Sequence, residues 1–305
     1  MQRAYISKLM ELAEIDDKVL HVLADSGTGY DEMFRTNFPK QIINFGISEE
    51  HMVAAAAGMA TAGKIPFLYT AGAFLAYRAY EFIRDDLCFQ NLNVKVAGMG
   101  SGLSWSSLGP THHTTEDIAV LRALPNLTIL SPATPIQTAA CVEEAYRRRG
   151  PVYIRIGMNG EKEYFDDTYK LSFGKNEVLI KGGEITIFTT GSILEEVMDA
   201  ASLLKQQDIL VNVVNVYSIK PVDKENILSM AVKSNILFTV EEHNINGGLG
   251  SIVSEILADN GVGIQNIRIG LNDEFAVGYG THKEVRKQNG LNAAFIVEKI
   301  TGYMT

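Results

Sequence analysis

Short aliphatic and β-branched runs alternate along the whole chain with longer stretches whose apolar residues recur at helical spacing. That alternation predicts parallel sheets wrapped by helices, an α/β fold. In the first half the expected strands are 19–24, 66–70, 94–98, 127–130 and 152–156, with helices over 48–62, 73–91, 116–124 and 134–149. A polar stretch at 159–176 lacks apolar periodicity and reads as a linker. Beyond it the pattern restarts, with strands at 185–190, 210–216, 236–240 and 264–269 and helices over 192–206, 224–233 and 250–259. The expectation is two consecutive domains, 1–165 and 176–305, each a mostly parallel sheet flanked by helices. The length of 305 residues agrees, at about 150 residues per domain.

Composition narrows the partners. The chain carries 27 Lys plus Arg against 36 Asp plus Glu, a formal charge of −9, so no overall basic field draws it to a nucleic-acid backbone. Cys88 and Cys141 both fall in apolar helical surroundings and read as packing residues in a reducing compartment. The first fourteen residues are amphipathic with charges throughout, and no apolar run approaches the length of about 18 residues that marks a membrane span. A cytoplasmic protein without membrane or nucleic-acid partners is expected.

Three segments hold candidate chemistry. Asn44-Phe-Gly-Ile-Ser-Glu-Glu-His51 runs into Met52-Val-Ala-Ala-Ala-Ala-Gly-Met-Ala60. A carboxylate at a helix start is commonly dipole and capping chemistry. Here the small-residue helix behind it would let a flat ligand or another subunit approach closely, and an apolar wall would raise the pKa of Glu49 as proton transfer requires. Phe74, Tyr77 and Tyr80 form an aromatic stripe on one helical face, which suits either a core or the floor of a planar heterocycle's pocket. The third segment runs from Gly98 to His113 as a Gly- and Ser-rich loop with the only Trp, and a loop of that length is commonly functional. Adjacent His112 and His113 have no partner at ligand spacing for a metal, so general acid or base use of one histidine is preferred.

In this order the motifs are similar to those of the transketolase family. Gly-Ile-Ser-Glu-Glu-His, the aromatic stripe, Gly109-Pro-Thr-His112 and Arg122-Ala-Leu-Pro-Asn126 resemble its pyrimidine-binding domain. Thr190-Gly-Ser192, Ser218-Ile-Lys-Pro-Val-Asp223 and Glu241-Glu-His-Asn-Ile-Asn-Gly-Gly-Leu-Gly250 resemble its C-terminal domain. The Gly-Asp-Gly that marks the family's diphosphate-binding half does not occur in the chain. The resemblance is therefore to the C-terminal subunit of a split transketolase, whose N-terminal, diphosphate-binding half is another polypeptide.

The resemblance implies thiamine diphosphate as cofactor, with Mg²⁺ (or Ca²⁺) held by the partner subunit and no metal ligand on this chain. It implies that Glu49 engages the aminopyrimidine ring, that Phe74, Tyr77 and Tyr80 surround that ring, and that Asp25 lies near the cofactor at the subunit interface. His112 would bond the reacting sugar and assist proton transfer, with His113 beside it, while Arg3 and Arg155 would hold the sugar phosphate, a use suited to the guanidinium fork. The expected assembly is two copies of each subunit, α2β2, about a two-fold axis.

Three positions depart from the family. Leu108 stands where an aspartate normally binds a substrate hydroxyl, Gly100 where many members have histidine, and His113 where glutamine is usual. An acceptor replaced by leucine cannot select a hydroxyl, so the expected activity is two-carbon ketol transfer with a non-standard anionic ketose, branched or deoxy. Two alternatives stay open: the β subunit of a 2-oxoacid dehydrogenase first component, and a non-catalytic interaction subunit that kept the fold.

Overall fold

The computed structural model describes residues 1–25 and 29–304. The first sheet contains β1 (Val19–Leu23), β2 (Ile42–Asn44), β3 (Ile65–Ala71), β4 (Lys95–Met99), β5 (Thr128–Leu130), β6 (Val152–Ile156) and, from the second half, β10 (Ser218–Lys220). Its order is β10-β5-β6-β4-β3-β1-β2, parallel throughout except for the antiparallel β10 edge. The second sheet is formed by β7 (Glu177–Ile180), β8 (Ile185–Thr190), β9 (Val211–Asn215), β11 (Ile236–Asn244) and β12 (Asn266–Leu271). Its order is β12-β11-β8-β9-β7, with only β7 antiparallel.

Strands β1, β4, β6, β8 and β9 are buried at every position. Parallel strands covered on both faces need such apolar runs. Alternation within β1 shows the two layers. Val19 and Leu23 pack with α1 (Gln2–Ile15) and α6 (Pro135–Arg147), whereas Leu20 and Val22 pack with α3 (Glu49–Thr61). The latter core also contains Ile227 of α8 (Lys224–Val232), Leu249 and Val253 of α9 (Leu249–Asp259), and Phe188 and Val214 of the second sheet. One apolar core thus runs through both domains, while α7 (Leu194–Lys205) and α11 (Ala293–Gly302) cover the outer face of the second sheet. Cys88 and Cys141 are buried and free.

The structure departs from the periodicity in identifiable places. The expected helix over 73–91 is broken into a π-helical turn at Phe74–Arg78, α4 (Tyr80–Phe82) and a second π segment at Ile83–Phe89, so residues spaced by three no longer share a face. The first sheet is not made from 1–165 alone, because β10 pairs with β5. Unanticipated elements are α2 (Gly29–Asn37), β2, β7, β10 and α10 (His282–Gln288), together with α11. Helix α5 (Asp117–Leu121) is shorter than the pattern suggests.

Candidate active site

In an open parallel sheet, ligands gather beyond the carboxyl ends of the strands, and β1, β3 and β4 end there around a cavity of about 340 Å³. Ala24 and Asp25 enter it after β1, Thr70, Ala71 and Phe74 at the end of β3, and Met99, Trp105, Leu108 and His112 from β4 and its loop. Ile47 and Glu49 complete it from the turn leading into α3. Asp25 sits in the left-handed region at φ +48°, with its N–H donated to Asn44 Oδ1 at 3.1 Å. That turn lifts the carboxylate past the strand end. A larger cleft, about 610 Å³ and lined by Lys18, Lys64 and Arg149 among others, opens at the amino ends of the same strands and contains none of these residues.

Glu49 is the first residue of α3 and is 1% exposed. Its partner is a guanidinium: Arg78 Nη1 donates to Oε2 at 2.6 Å. The carboxylate therefore does not face an apolar wall alone, as the small-residue helix suggests it would. Met52, Val53, Ala56 and Ala57 are buried toward the sheet, leaving Ala54, Ala55 and Gly58 at least partly open. Arg78 reaches Glu49 because the π-helical turn places it over the Phe74 ring, 4.4 Å from the centroid. No sequence signal marks Arg78 beyond its place inside the aromatic stripe.

His112 meets the edge of Phe74 with ring centroids 5.1 Å apart and that of Trp105 at 6.2 Å. Its Nδ1 lies 2.9 Å from Thr111 Oγ1. The sequence marks Trp105 only as the single Trp of the chain, and it proves to be a wall of the cavity. Gly100 makes room for it, since a Cβ there would come within 2.0 Å of the indole Nε1, and the backbone holds φ +78°.

The remaining expected residues are not brought to the cavity. Tyr77, 38% exposed, donates its hydroxyl to Glu116 Oε2 at 2.8 Å and accepts from the Glu116 N–H at 2.9 Å. Tyr80 packs against the shared core. The π-helical turn sets Tyr77 off the Phe74 face, and Tyr80 lies beyond that turn. Arg3 is exposed on α1. His113 is buried, with neither ring nitrogen hydrogen-bonded, and burial pushes its pKa down.

Arg155 is the clearest correction. It is fully buried, and its Nε donates to Asp117 Oδ1 and Oδ2 at 3.1 and 2.9 Å while Nη2 donates to the carbonyls of Thr114 and Glu242 at 2.8 and 3.0 Å. A guanidinium so committed ties the end of the histidine loop to the second domain, and it has no opening through which to hold a phosphate. Asp117 also accepts from the Tyr153 hydroxyl at 2.8 Å.

Glu242, which the motif contains without a role, extends this seam. Its Oε1 accepts from the Leu103 N–H and lies 2.5 Å from His282 Nε2, while Oε2 takes the Arg286 guanidinium. Arg286 and His282 hold its pKa well below the carboxylate range despite full burial. Gly102, at φ +60°, passes so close that a Cβ would meet the Glu242 carboxylate at 2.7 Å. Beside it, burial raises Glu241 to about 7 although it accepts the N–H groups of Leu249 and Gly250. Burial likewise lowers His243 to about 4. Among the described residues, no group of three or more His, Cys, Asp or Glu is placed to hold a metal ion.

The cavity fits half of a cofactor site. A buried carboxylate, the Phe74 face and the side chains of Ile47 and Met99 suit a flat aminopyrimidine, while no cluster among the described residues suits a metal-bound diphosphate. Fold and cleft together define the pyrimidine-binding portion of a two-domain α/β enzyme of the thiamine type. The chain belongs to the transketolase family: residues 1–159 match its pyrimidine-binding domain and 174–296 its C-terminal domain. It corresponds to the C-terminal subunit of a split transketolase. An apulose-4-phosphate transketolase subunit from Actinobacillus succinogenes is 39% identical, over 91% of this chain and 89% of that one. The 6-deoxy-6-sulfo-D-fructose transketolase subunit of a Clostridium species is 32% identical, over 97% and 92%. A solved split-gene transketolase, described as an inactive β4 tetramer, superposes with a TM-score of 0.90 at 35% identity, covering 99% of this chain and 97% of that one.

Proposed function

We propose that this chain supplies the pyrimidine side of a thiamine diphosphate site completed by an N-terminal, diphosphate-binding subunit, and that the pair transfers a two-carbon ketol unit from a non-standard anionic ketose to an aldose. The observation that carries the reading is Glu49, buried at the start of α3 and opening on a cavity shared with Phe74 and His112. When bound, the cofactor supplies a carbon nucleophile for cleaving and forming the bond next to the ketose carbonyl.

This chain's residues do the rest. Glu49 holds a proton at the pyrimidine ring once Arg78 gives up or shares Oε2, and Phe74 offers the ring a face to stack on. His112, edge-on to Phe74, exchanges protons with the hydroxyls of the sugar. Asp25 borders the cleft on the partner side. The magnesium or calcium ion and the diphosphate belong to the partner, as does a phosphate-holding cation, since among the described residues no Lys or Arg lines this cavity. The similarity to proteins named for apulose 4-phosphate and for a sulfonated deoxyketose supports a substrate outside the common pentose phosphates. We place the complex in the cytoplasm as an α2β2 assembly, with the open small-residue face of α3 against a neighbouring subunit.

The test is Glu49→Gln in the complex with its partner. Ketol transfer falls by roughly 10²–10⁴-fold, the range of a lost proton-transfer group, while assembly is unchanged. Full activity of the variant contradicts the proposal, and turnover of a 2-oxoacid in place of a ketose would favour the dehydrogenase reading.

A further inference from the structure

The wall of the cavity beside His112 is apolar in a way that the sequence departures do not show one by one. Leu108 removes an acceptor, yet the more consequential change is what fills the space over Gly100. The Trp105 indole lies against that glycine so closely that a Cβ would meet Nε1 at 2.0 Å, and φ +78° excludes a side chain a second time. Nε1 is thereby buried without a hydrogen-bond partner. With its one donor turned away from the cleft, the indole offers the cavity carbon, and Met99 and Leu108 adjoin it. A substrate hydroxyl on this side would be desolvated against carbon: among the described residues the loop brings no hydroxyl to the cavity lining, and that of Thr111 is engaged with His112 Nδ1 at 2.9 Å.

We propose that Trp105, interlocked with Gly100, is the specificity-determining residue of this cleft, and that the substrate carbon facing it carries hydrogen or a carbon branch in place of a hydroxyl. The inference rests on the ketol-transfer reading above and names the sugar class for that same site. A buried polar group without a partner costs binding whenever the alternative is water. For an apolar pocket discriminating against an added hydroxyl, the expected ratio is about tenfold to a hundredfold.

The experiment compares D-ribose 5-phosphate with 2-deoxy-D-ribose 5-phosphate, which differ by one hydroxyl, on the complex of this chain with its partner. Binding of each sugar is read by isothermal titration calorimetry on the wild-type, Trp105→Phe and Trp105→Ser complexes. Turnover is read as kcat/KM with each of a panel of anionic ketoses as donor. The deoxy sugar is expected to bind about tenfold or more tightly, chiefly through KM. Trp105→Phe should keep that preference, and Trp105→Ser, which admits water and a hydroxyl partner, should bring the ratio toward one. Equal binding of the two sugars, tighter binding of ribose 5-phosphate, or a ratio unchanged in Trp105→Ser overturns the proposal. Absence of ketol transfer from every anionic ketose tried, xylulose 5-phosphate included, would instead count against the ketol-transfer reading, and the calorimetric titration still decides the inference.

Discussion

The loop after β4 has two sides, and they treat polar atoms in opposite ways. On the side facing the second domain, Arg155 makes four hydrogen bonds and Glu242 takes Leu103, His282 and Arg286. On the cavity side Trp105 Nε1 has no partner, and His113 between the two keeps both nitrogens unpaired. Saturated charge is hard to move, because removing one member leaves the other buried and uncompensated. Unsaturated buried polar atoms cost stability and fix nothing in place. The contrast assigns the second domain a role: it pins both ends of the loop so that His112 and Trp105 are held by the scaffold and not by each other.

The strongest way to break this comparison is to unpin the seam. Arg155→Met leaves Asp117 buried without its cation and should cost about 3–5 kcal/mol, read as a shift in the urea midpoint. Arg155→Lys should recover little, because an ammonium cannot reproduce the forked contact. A normal midpoint with only a raised KM for phosphorylated sugar would instead restore Arg155 to phosphate binding.

A second, smaller break is at Glu242. Glu242→Gln keeps the shape and removes the charge opposite Arg286 and His282. It should lower stability by about 2 kcal/mol, within the range for hydrogen bonds to charged groups, and lower kcat more than it changes KM, since loop position and not binding contacts is altered. Equal kcat in the variant would separate the seam from the chemistry.

Acid sharpens the comparison further. His243, lowered to about 4, binds its proton in the unfolded chain first, so its contribution is present above about 6.5 and is lost as pH falls toward 4. Glu241, raised to about 7, binds a proton in the folded chain between about 4.5 and 7, so its effect runs the other way and stability rises as pH falls through that window. The two oppose each other in wild type. His243→Gln should therefore leave a protein whose denaturation midpoint rises between pH 7 and 4.5; a variant with the wild-type pH profile would show that the His243 shift is absent, and a midpoint that does not rise would show that the Glu241 shift is absent.

The smallest effect is expected at Tyr77→Phe. Losing the Glu116 pair should cost roughly 0.5–1.5 kcal/mol and leave cofactor affinity unchanged. A large fall in cofactor affinity would return Tyr77 to the pyrimidine pocket.

Much of the scaffold is readable because parallel strands buried on both faces are apolar throughout. The runs 152–156 and 185–190 match β6 and β8 residue for residue. The edge strands β7 and β10 carry three or four residues, too few for a pattern to form, and β10 joins a sheet about 90 residues earlier in the chain. Within the site, Glu49 and His112 are legible from ordered motifs. Arg78 is not, since its position depends on a π-helical turn that periodicity of 3.6 cannot express. Arg155 is misread because a strand arginine looks the same in sequence whether it points to a ligand or to an aspartate 38 residues away. Gly100 leaves a trace as a departure and Trp105 as the single Trp of the chain, but that the two interlock is written in neither.

The central claim is that this chain holds one half of a site shared between polypeptides. The most direct measurement is calorimetric titration of thiamine diphosphate with magnesium into this chain alone, into its diphosphate-binding partner alone, and into the mixture with and without Glu49→Gln. Tight binding in the wild-type mixture only, weakened by the variant, is the result predicted here. Tight binding by this chain alone, or an unaltered isotherm for the Glu49→Gln mixture, would contradict it.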